Sequence, residues 1–316
     1  MAAQSTDKST DPLPAGFRLD TYTIQSKIAG GGFGLVYLAH DEQGQAVALK
    51  EYAPAGVVAR QADGSVQPMS EADHGVFRYG MRCFFEEGRA LAQLSHPNLV
   101  RVLNFFRANN TVYLAMRHEQ GDTLHQLIHA EPAVLLEPFI IAVFIQLLNG
   151  LREVHARKLL HLDIKPANIL IRPDGMPVLI DFGSARQALV HGPAALAPMY
   201  TPGFAAPELY QERDRLGPWT DIYAVGASLY ACLAKAAPPP ADQRLQGDTL
   251  SPASKTFAGL YSEGLLRLID AALQLSDMER PQSVFAVQKQ LAELARESAD
   301  ARPNLLGILR SRLGWR

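Results

Sequence analysis

Cysteine, net charge and long apolar runs are all scarce in this sequence. Only two of the 316 residues are cysteine, and Cys83 and Cys232 lack the spacing of a disulfide framework or a metal site, so we interpret both as buried thiols. The formal net charge of −2 does not indicate nucleic-acid binding, which needs a strongly basic face. The longest apolar stretches, 139–145 and 222–234, are too short to span a bilayer, and the polar residues 1–16 do not resemble a signal peptide. We therefore expect a cytoplasmic protein without a transmembrane segment.

The first third of the chain is predicted to be rich in β-structure. Residues 1–19 are expected to form a disordered leader. Alternating apolar residues predict antiparallel strands at 21–28, 34–40, 46–51, 99–107 and 111–117, the last two joined at Asn109-Asn110. Residues 52–80 contain several glycines and prolines and are predicted to be an insertion with little regular structure, at least in part. A helix is predicted from about residue 77 or 80 to residue 94.

After Gly121, which we interpret as a hinge, the pattern becomes mostly helical. The predicted helices are 123–130, 138–157, 220–235, 262–274 and 282–299. The sequence therefore predicts an α+β protein with two lobes, a β-rich N-lobe at 20–119 and a larger, mostly helical C-lobe at 120–296.

A glycine-rich turn between the first two predicted strands is a candidate phosphate-binding site. Backbone N–H groups approach phosphate oxygens closely only where side chains are absent, and Gly31 and Gly34 meet that condition. A plain tight hairpin explains the same turn about equally well.

Two charged residues follow this turn. Lys50 ends the strand Val47-Ala48-Leu49 and is either a phosphate-neutralising residue or a solvated strand end. Glu87, on the next predicted helix, is a candidate partner for Lys50. Glu86 points about 100° away around the helix, so only one of these two glutamates faces inward.

Four candidate site residues lie within the 21 residues 161–181. Asp163 is flanked by leucines and isoleucines, where carboxylates are rare unless they are paired or metal-bound. Lys165 and Asn168 are close enough to share a loop with Asp163, and Asp181 follows a short apolar strand. A turn with capping Asp and Asn residues is the alternative. The spacing favours a site that holds metal-bound phosphate beside a hydroxyl group.

These motifs resemble those of the eukaryotic-type (Hanks-type) serine/threonine protein kinases, and most closely the bacterial members. The resemblance covers about residues 20–295, and six motifs occur in the family's order. They are the glycine turn, Val-Ala-Leu-Lys50, Glu87 in Glu-Gly-Arg-Ala-Leu, His161-Leu-Asp163-Ile-Lys165-Pro-Ala-Asn168, Asp181-Phe-Gly183 and Ala206-Pro207-Glu208. The resemblance implies the bilobal protein kinase fold, with ATP and Mg²⁺ (or Mn²⁺) as cofactors and proteins as substrates.

The resemblance also implies a role for each matching residue. Lys50 would bind the α- and β-phosphates and pair with Glu87, and Met116 would be the gatekeeper beside the hinge residues 117–119. The implied ATP-binding residues are Ile28, Gly31, Gly34, Val36, Ala48, Lys50, Glu87, Met116, Arg117 and His118.

The implied catalytic residues lie in the predicted C-lobe. Asp163 would accept the proton of the substrate hydroxyl, and Lys165 would steady the γ-phosphate. Asn168 and Asp181 would hold two metal ions, and Thr201 would help to position Ser/Thr substrates. The implied structural residues are Glu208 and Arg280, as an ion pair, and Asp221, as a brace for the catalytic loop.

The sequence departs from the family at two positions near these motifs. Ala29 replaces the first glycine of the loop, and Leu162 replaces the arginine that usually receives an activation-loop phosphate. Residues 185–199 contain no Ser, Thr or Tyr. We therefore expect a kinase that conventional activation-loop phosphorylation does not control.

Two further segments are candidate regulatory surfaces. The 52–80 insertion either positions the following helix, binds a regulatory protein or is a passive loop. The tail at 297–316 has four arginines and no acidic residue from 302 onward, with leucines on one helical face. It either binds an acidic partner or an anionic lipid, packs on the larger lobe, or frays.

The expected function is transfer of the γ-phosphoryl group of Mg·ATP to Ser/Thr hydroxyls of proteins. A pseudokinase or nucleotide-binding scaffold is the main alternative, because of Ala29 and Leu162. A small-molecule kinase is less well supported, since such enzymes generally lack the Ala206-Pro207-Glu208 segment and its pairing with Arg280.

Overall fold

The computed structural model describes the backbone of residues 10–130, 135–182, 201–211 and 215–313, and side chains as far as residue 298. The chain divides into two compact units. The first contains residues 1–119 and 182–199, and the second contains 120–181 and 200–316. The predictions for residues 1–9 of the leader, for 185–199 and for the tail's side chains therefore lie outside the described residues.

The first unit is built on an antiparallel sheet of six strands, in the order β1-β2-β3-β4-β8-β7. Its strands are β1 Arg18–Leu19, β2 Tyr22–Gly31, β3 Gly34–His40, β4 Ala46–Tyr52, β7 Val102–Ala108 and β8 Thr111–Arg117. Asn109 and Asn110 both have positive φ, at 50° and 59°, which confirms the predicted tight turn between β7 and β8.

Alternate residues of this sheet divide between its two faces. One face carries Leu35, Tyr37, Leu49 and Tyr113, which form a buried cluster with Leu13 from the N-terminal segment. Burial of these large side chains gives the sheet a core on that face. Since residues 10–19 help to cover it, the prediction of a disordered leader is wrong for that part of the chain.

The insertion is more regular than predicted. It contains a hairpin of β5 Val58–Arg60 and β6 Val66–Pro68, and helix α1 Glu71–Leu91 begins earlier than expected. Gly80, at the end of the predicted insertion, lies inside α1. A Cβ there would lie 1.9 Å from the hydroxyl oxygen of Tyr52, so the glycine lets α1 pack closely on the end of β4.

The second unit is mainly helical, as the sequence predicted. Its helices are α2 Leu124–His129, α3 Glu137–Ala156, α4 Pro207–Gln211, α5 Pro218–Ala234, α6 Ala241–Gln246, α7 Ala253–Thr256, α8 Glu263–Ala272 and α9 Val284–Leu313. A small sheet of β9 Asp122–Thr123, β10 Ile169–Ile171 and β11 Pro177–Leu179 accompanies them, in the order β11-β10-β9. By length and composition α3 is long and apolar enough to cross a membrane. Half of that stretch is buried, so the signal is the weak one that a core helix also gives.

Gly121 lies next to the division between the units, but its local role is steric. A Cβ at this position would lie 2.0 Å from the carbonyl oxygen of Ile171, and the backbone has φ of +142°. Glycine therefore permits the chain to pass close to β10 where β9 pairs with it.

Candidate functional site

The glycine turn closes the β2–β3 hairpin of the first unit, where Gly31 pairs with Gly34. Its two tip carbonyls accept hydrogen bonds from residues beyond β4. Ala53 N donates to Phe33 O at 3.1 Å, and Ala55 N donates to Gly32 O at 3.0 Å. The turn is thus attached to the start of the insertion as well as to its own strands.

The two glycines of this turn differ in the space around them. A Cβ on Gly34 would lie 1.8 Å from Glu51 O, whereas a Cβ on Gly31 would meet no atom within 4 Å. We expect Gly34→Ala to lower the free energy of unfolding by about 1–3 kcal/mol, because β3 and β4 must separate. Gly31→Ala is the matched control, with an expected change below about 1 kcal/mol. Urea unfolding of both variants measures this, and equal stabilities would contradict it.

The face of the sheet opposite the Tyr37 cluster carries four of the predicted nucleotide-binding residues. Directly opposed residues of an antiparallel pair share a face, and the register pairs Val36 with Lys50 and Ala48 with Met116. The Nζ of Lys50 lies 5.7 Å from the ring centroid of Phe84 on α1. At these four positions the face therefore combines apolar side chains with the cation of Lys50.

The remaining nucleotide-binding candidates lie at the margins of the same unit. Ile28 is in β2 and is 47% exposed. Arg117 ends β8, and its Nε lies 4.0 Å from Oε1 of Glu119. His118 follows in the same short stretch.

Of the two adjacent glutamates on α1, Glu87 faces inward. Glu87 is 7% exposed, while the half-exposed Glu86 pairs with Arg89 at 2.6 Å. The helical geometry thus separates the two side chains as predicted, with Glu87 buried and Glu86 at the surface.

In the second unit, the predicted side chains of Lys165, Asn168 and Thr201 surround Asp163 in one hydrogen-bonded group. Thr201 Oγ1 donates to Asp163 Oδ1 at 2.9 Å, and Lys165 Nζ lies 3.0 Å from Asp163 Oδ2. Lys165 Nζ also donates to Thr201 Oγ1 at 2.9 Å. Asn168 Nδ2 donates to the backbone oxygen of Asp163 at 2.8 Å and to its Oδ2 at 3.0 Å. The carboxylate is held in one orientation, with a cation and a hydroxyl group beside it.

Asn168 and Asp181 lie at the same end of the β10–β11 hairpin. Asn168 precedes β10 and Asp181 follows β11, and Ile180 N donates to Asn168 O at 2.9 Å. Because Asn168 uses Nδ2 for both of its bonds to Asp163, those bonds do not occupy its amide oxygen. Carboxylate and amide oxygens are suitable Mg²⁺ ligands, and Mg²⁺ commonly takes few protein ligands together with substrate phosphates. The donor set at this end of the hairpin therefore fits the metal.

Asp221 braces the loop that carries Asp163. This fully buried carboxylate accepts from Leu162 N at 2.8 Å, His161 N at 2.9 Å and His155 Nε2 at 2.7 Å. These bonds hold Leu162 at φ of 62°, a left-handed conformation that costs a leucine about 1–2 kcal/mol. Burial alone raises the pKa of Asp221, but the His155 bond and the other donors outweigh it and lower the pKa overall.

The lowered pKa of Asp221 predicts an acid-sensitive contribution to stability. The contribution is complete above the unfolded-state pKa of about 3.9 and is lost as pH falls through the lower folded-state pKa. In Asp221→Asn the unfolding free energy should therefore fall less steeply with acidification than in the wild type. Urea unfolding from about pH 6 to pH 2 measures both slopes; parallel curves would show that Asp221 does not contribute.

Glu208 and Arg280 form a two-armed ion pair, with nitrogen–oxygen distances of 2.8 and 2.9 Å. Thr220 Oγ1 donates to Glu208 at 2.8 Å, and Arg280 also donates to the backbone oxygens of Trp219, Gln274 and Leu275. The predicted partners are thus in contact. The roles of Thr220 and His155 were not predicted, since neither residue stands in a recognisable motif.

Comparisons with known proteins agree with this arrangement. The protein kinase domain family matches residues 22–292. Serine/threonine-protein kinase D of Synechocystis is 28% identical over 299 residues, covering 89% of this chain and 54% of that protein. Serine/threonine-protein kinase pkn3 of Myxococcus xanthus is 30% identical over 233 residues, covering 68% of this chain and 42% of that protein.

A solved structure is also similar to this chain. The structure of PpkA-294 in its apo form has a TM-score of 0.80 and 36% identity, covering 89% of this chain and all of that one. The fold and the Asp163 group together define a protein kinase domain, and the chain belongs to the protein kinase domain family. The Hanks-type resemblance and the fold class are confirmed. The chain spans about half the length, or less, of the curated relatives described here.

Proposed function

We propose that this protein is an active serine/threonine protein kinase that transfers the γ-phosphoryl group of ATP to protein hydroxyls. The observation that carries the proposal is the group of Asp163, Lys165, Asn168 and Thr201. Asp163 accepts the proton of the substrate hydroxyl as that oxygen attacks the γ-phosphorus. Lys165 stabilises negative charge on the transferred group. Thr201 holds the Asp163 carboxylate in the orientation that this proton transfer requires.

The first unit supplies the nucleotide-binding residues in this proposal. Apolar Val36, Ala48 and Met116 contact the adenine, and Lys50 neutralises the α- and β-phosphates. Arg117 ends β8 and His118 follows it, and the backbone of this stretch provides hydrogen-bonding groups for the base. Support for the assignment comes from the shared face of Val36, Ala48, Lys50 and Met116.

Asn168 and Asp181 are the residues that would hold Mg²⁺ or Mn²⁺. The bound metal would supply charge neutralisation at the phosphate oxygens. Asn168 has a second role, because its Nδ2 fixes the Asp163 carboxylate. We therefore expect Asn168→Ala to weaken metal binding and to leave the Asp163 carboxylate less firmly oriented.

A protein substrate is favoured over a small-molecule acceptor. The Glu208–Arg280 ion pair anchors the segment after Thr201, the kind of segment that shapes a peptide groove in this family. A pseudokinase is less well supported. Ala29 continues β2 opposite Val36, and Lys165, Asn168 and Thr201 are all present and in contact with Asp163.

We also propose that phosphorylation of the activation loop is not the switch. Leu162 is 4% exposed and packs with Ala205 and Leu209 in an apolar cluster, where an arginine would bury its charge. Removal of phosphate by a phosphatase should leave the activity unchanged. A required phosphate at Ser184, Tyr200 or Thr201 would contradict this part of the proposal.

The central experiment compares acceptors. Purified protein is given Mg·ATP with a generic basic protein, and separately with small-molecule hydroxyl acceptors, and phosphoryl transfer is measured. Transfer to serine or threonine of the protein is the expected result. Transfer to small molecules alone would support the small-molecule kinase, and nucleotide binding without any transfer would support the pseudokinase.

A further inference from the structure

A second charged cluster lies on the sheet face opposite Lys50. Its centre is Glu51, which is 0% exposed. Both nitrogens of the Arg60 fork reach its carboxylate, at 2.8 and 2.6 Å. Tyr37 donates to Glu51 at 2.8 Å, and Tyr113 donates to it as well. Burial and the Glu51 charge raise the pKa of both tyrosines, so their hydroxyl groups stay protonated and continue to donate.

Arg60 joins three separate segments at this point. It lies in β5 of the insertion, and besides Glu51 it binds Asp11 O at 2.8 Å through Nε and Gly64 O at 3.0 Å through Nη1. Leu13 N donates to the Tyr37 hydroxyl at 3.1 Å. The Arg60 contacts thus attach the insertion hairpin and the N-terminal segment to strand β4.

The same end of β4 contacts the parts of the first unit to which we assign nucleotide binding. Glu51 follows Lys50, so their side chains lie on opposite faces of the strand. The next residue, Tyr52, stacks on Phe77 of α1 with ring centroids 5.7 Å apart. Ala53 and Ala55 then donate to the tip of the glycine turn. Lys50, the turn and the helix bearing Glu87 are therefore all connected to the segment that Arg60 anchors.

We propose that Arg60, through its ion pair with Glu51, is a positioning residue for the nucleotide site. It fixes the insertion against β4 and so sets the glycine turn and α1 relative to Lys50. This inference rests on the proposed function of Lys50 and the turn as the ATP site. Replacement of a buried ion pair by neutral groups of similar volume is often nearly neutral for stability. The positioning role is therefore separable from a purely stabilising one.

The variant Glu51→Gln/Arg60→Met makes that separation. The Gln side chain still accepts from one tyrosine and donates to the other, so no charge is left buried, but the tether to the insertion is lost. We expect KM and Kd for Mg·ATP to rise about tenfold, because displacement of the glycine turn and α1 weakens contacts to the nucleotide, and a tenfold change corresponds to about 1.4 kcal/mol of binding free energy. The kcat at saturating ATP should change much less. The single variant Arg60→Lys, with Glu51 unchanged, keeps the charge pair. Its affinity for Mg·ATP should lie between those of the wild type and the double variant.

The matched control is Arg244→Met. Arg244 is also buried, at 5% exposure, and binds Asp248 and the Tyr223 hydroxyl in the second unit. The Arg244→Met variant should have a lower unfolding temperature than the wild type, with an unchanged KM for ATP. If Glu51→Gln/Arg60→Met behaved like Arg244→Met, with unchanged KM and Kd, Arg60 would be only a stabilising residue and the inference would be wrong.

Two readouts keep this result distinct from failure of the proposed function. Hydrogen exchange at the Ala53 and Ala55 amides should accelerate in the double variant and not in Arg244→Met. The Kd for Mg·ATP needs no turnover. An inactive wild type with a weakened Kd in the double variant would overturn the kinase proposal and support the positioning role, whereas unchanged exchange would overturn the role itself.

Discussion

Asp163→Asn is expected to reduce phosphoryl transfer to a protein substrate by about 10²–10⁴-fold, the usual contribution of a general base. The amide cannot accept the hydroxyl proton, although it has the shape of the carboxylate. Its NH₂ group would also face Lys165 Nζ or the Thr201 hydroxyl, each of which now donates to an Asp163 oxygen. Orientation and proton acceptance are thus lost together.

Binding of Mg·ATP should largely survive this change, because the residues assigned to the adenine and to the α- and β-phosphates lie in the first unit and the proposed metal ligands Asn168 and Asp181 are unchanged. The measurements are kcat with a basic protein substrate and Kd for Mg·ATP. Asp174→Asn is the matched control, since Asp174 is an exposed carboxylate in the turn between β10 and β11, and its activity should equal that of the wild type. Retention of the wild-type rate in Asp163→Asn would show that Asp163 is not the base.

The site residues that the sequence revealed are those whose spacing follows from local geometry. Asp163, Lys165 and Asn168 are close in sequence, so one short loop brings them together, and Asp181 joins them through a hairpin. The choice of Glu87 over Glu86 needed only helical periodicity and the family's register. Contacts of this kind depend on a few neighbouring dihedral angles, which the residue pattern largely determines.

The contacts that the sequence did not reveal depend on how segments pack. Arg60 lies nine residues after Glu51, among glycines and prolines that indicated an irregular insertion, so nothing in the sequence showed that its side chain returns to Glu51. His155 ends α3 and reaches Asp221 from another helix. Gly80 was placed at the end of the insertion, because nothing local shows that Tyr52 occupies the space of its missing Cβ. In each case tertiary packing decides the role.

Arg280→Met is expected to produce the largest loss of stability. It leaves Glu208, 5% exposed, as a buried carboxylate without its cationic partner, although the Thr220 hydroxyl still donates to it. Breaking a buried ion pair from one side costs about 3–5 kcal/mol, equivalent to a fall of about 10 °C in the unfolding temperature for a unit of this size. The three backbone oxygens that Arg280 binds would also lose their donor.

The same change should lower activity, because the ion pair supports the segment that carries Thr201. That segment turns back on itself through bonds from Phe204 N and Ala205 N to Thr201 O, and α4 with Glu208 follows directly. Arg267→Met is the matched control: Arg267 and Glu263 form a pair in which both side chains are 73% exposed, and such pairs contribute little. Glu208→Met/Arg280→Met should recover part of the lost stability, since no charge remains buried. An unfolding temperature of Arg280→Met equal to that of Arg267→Met would show that the buried pair does not hold this part of the second unit together.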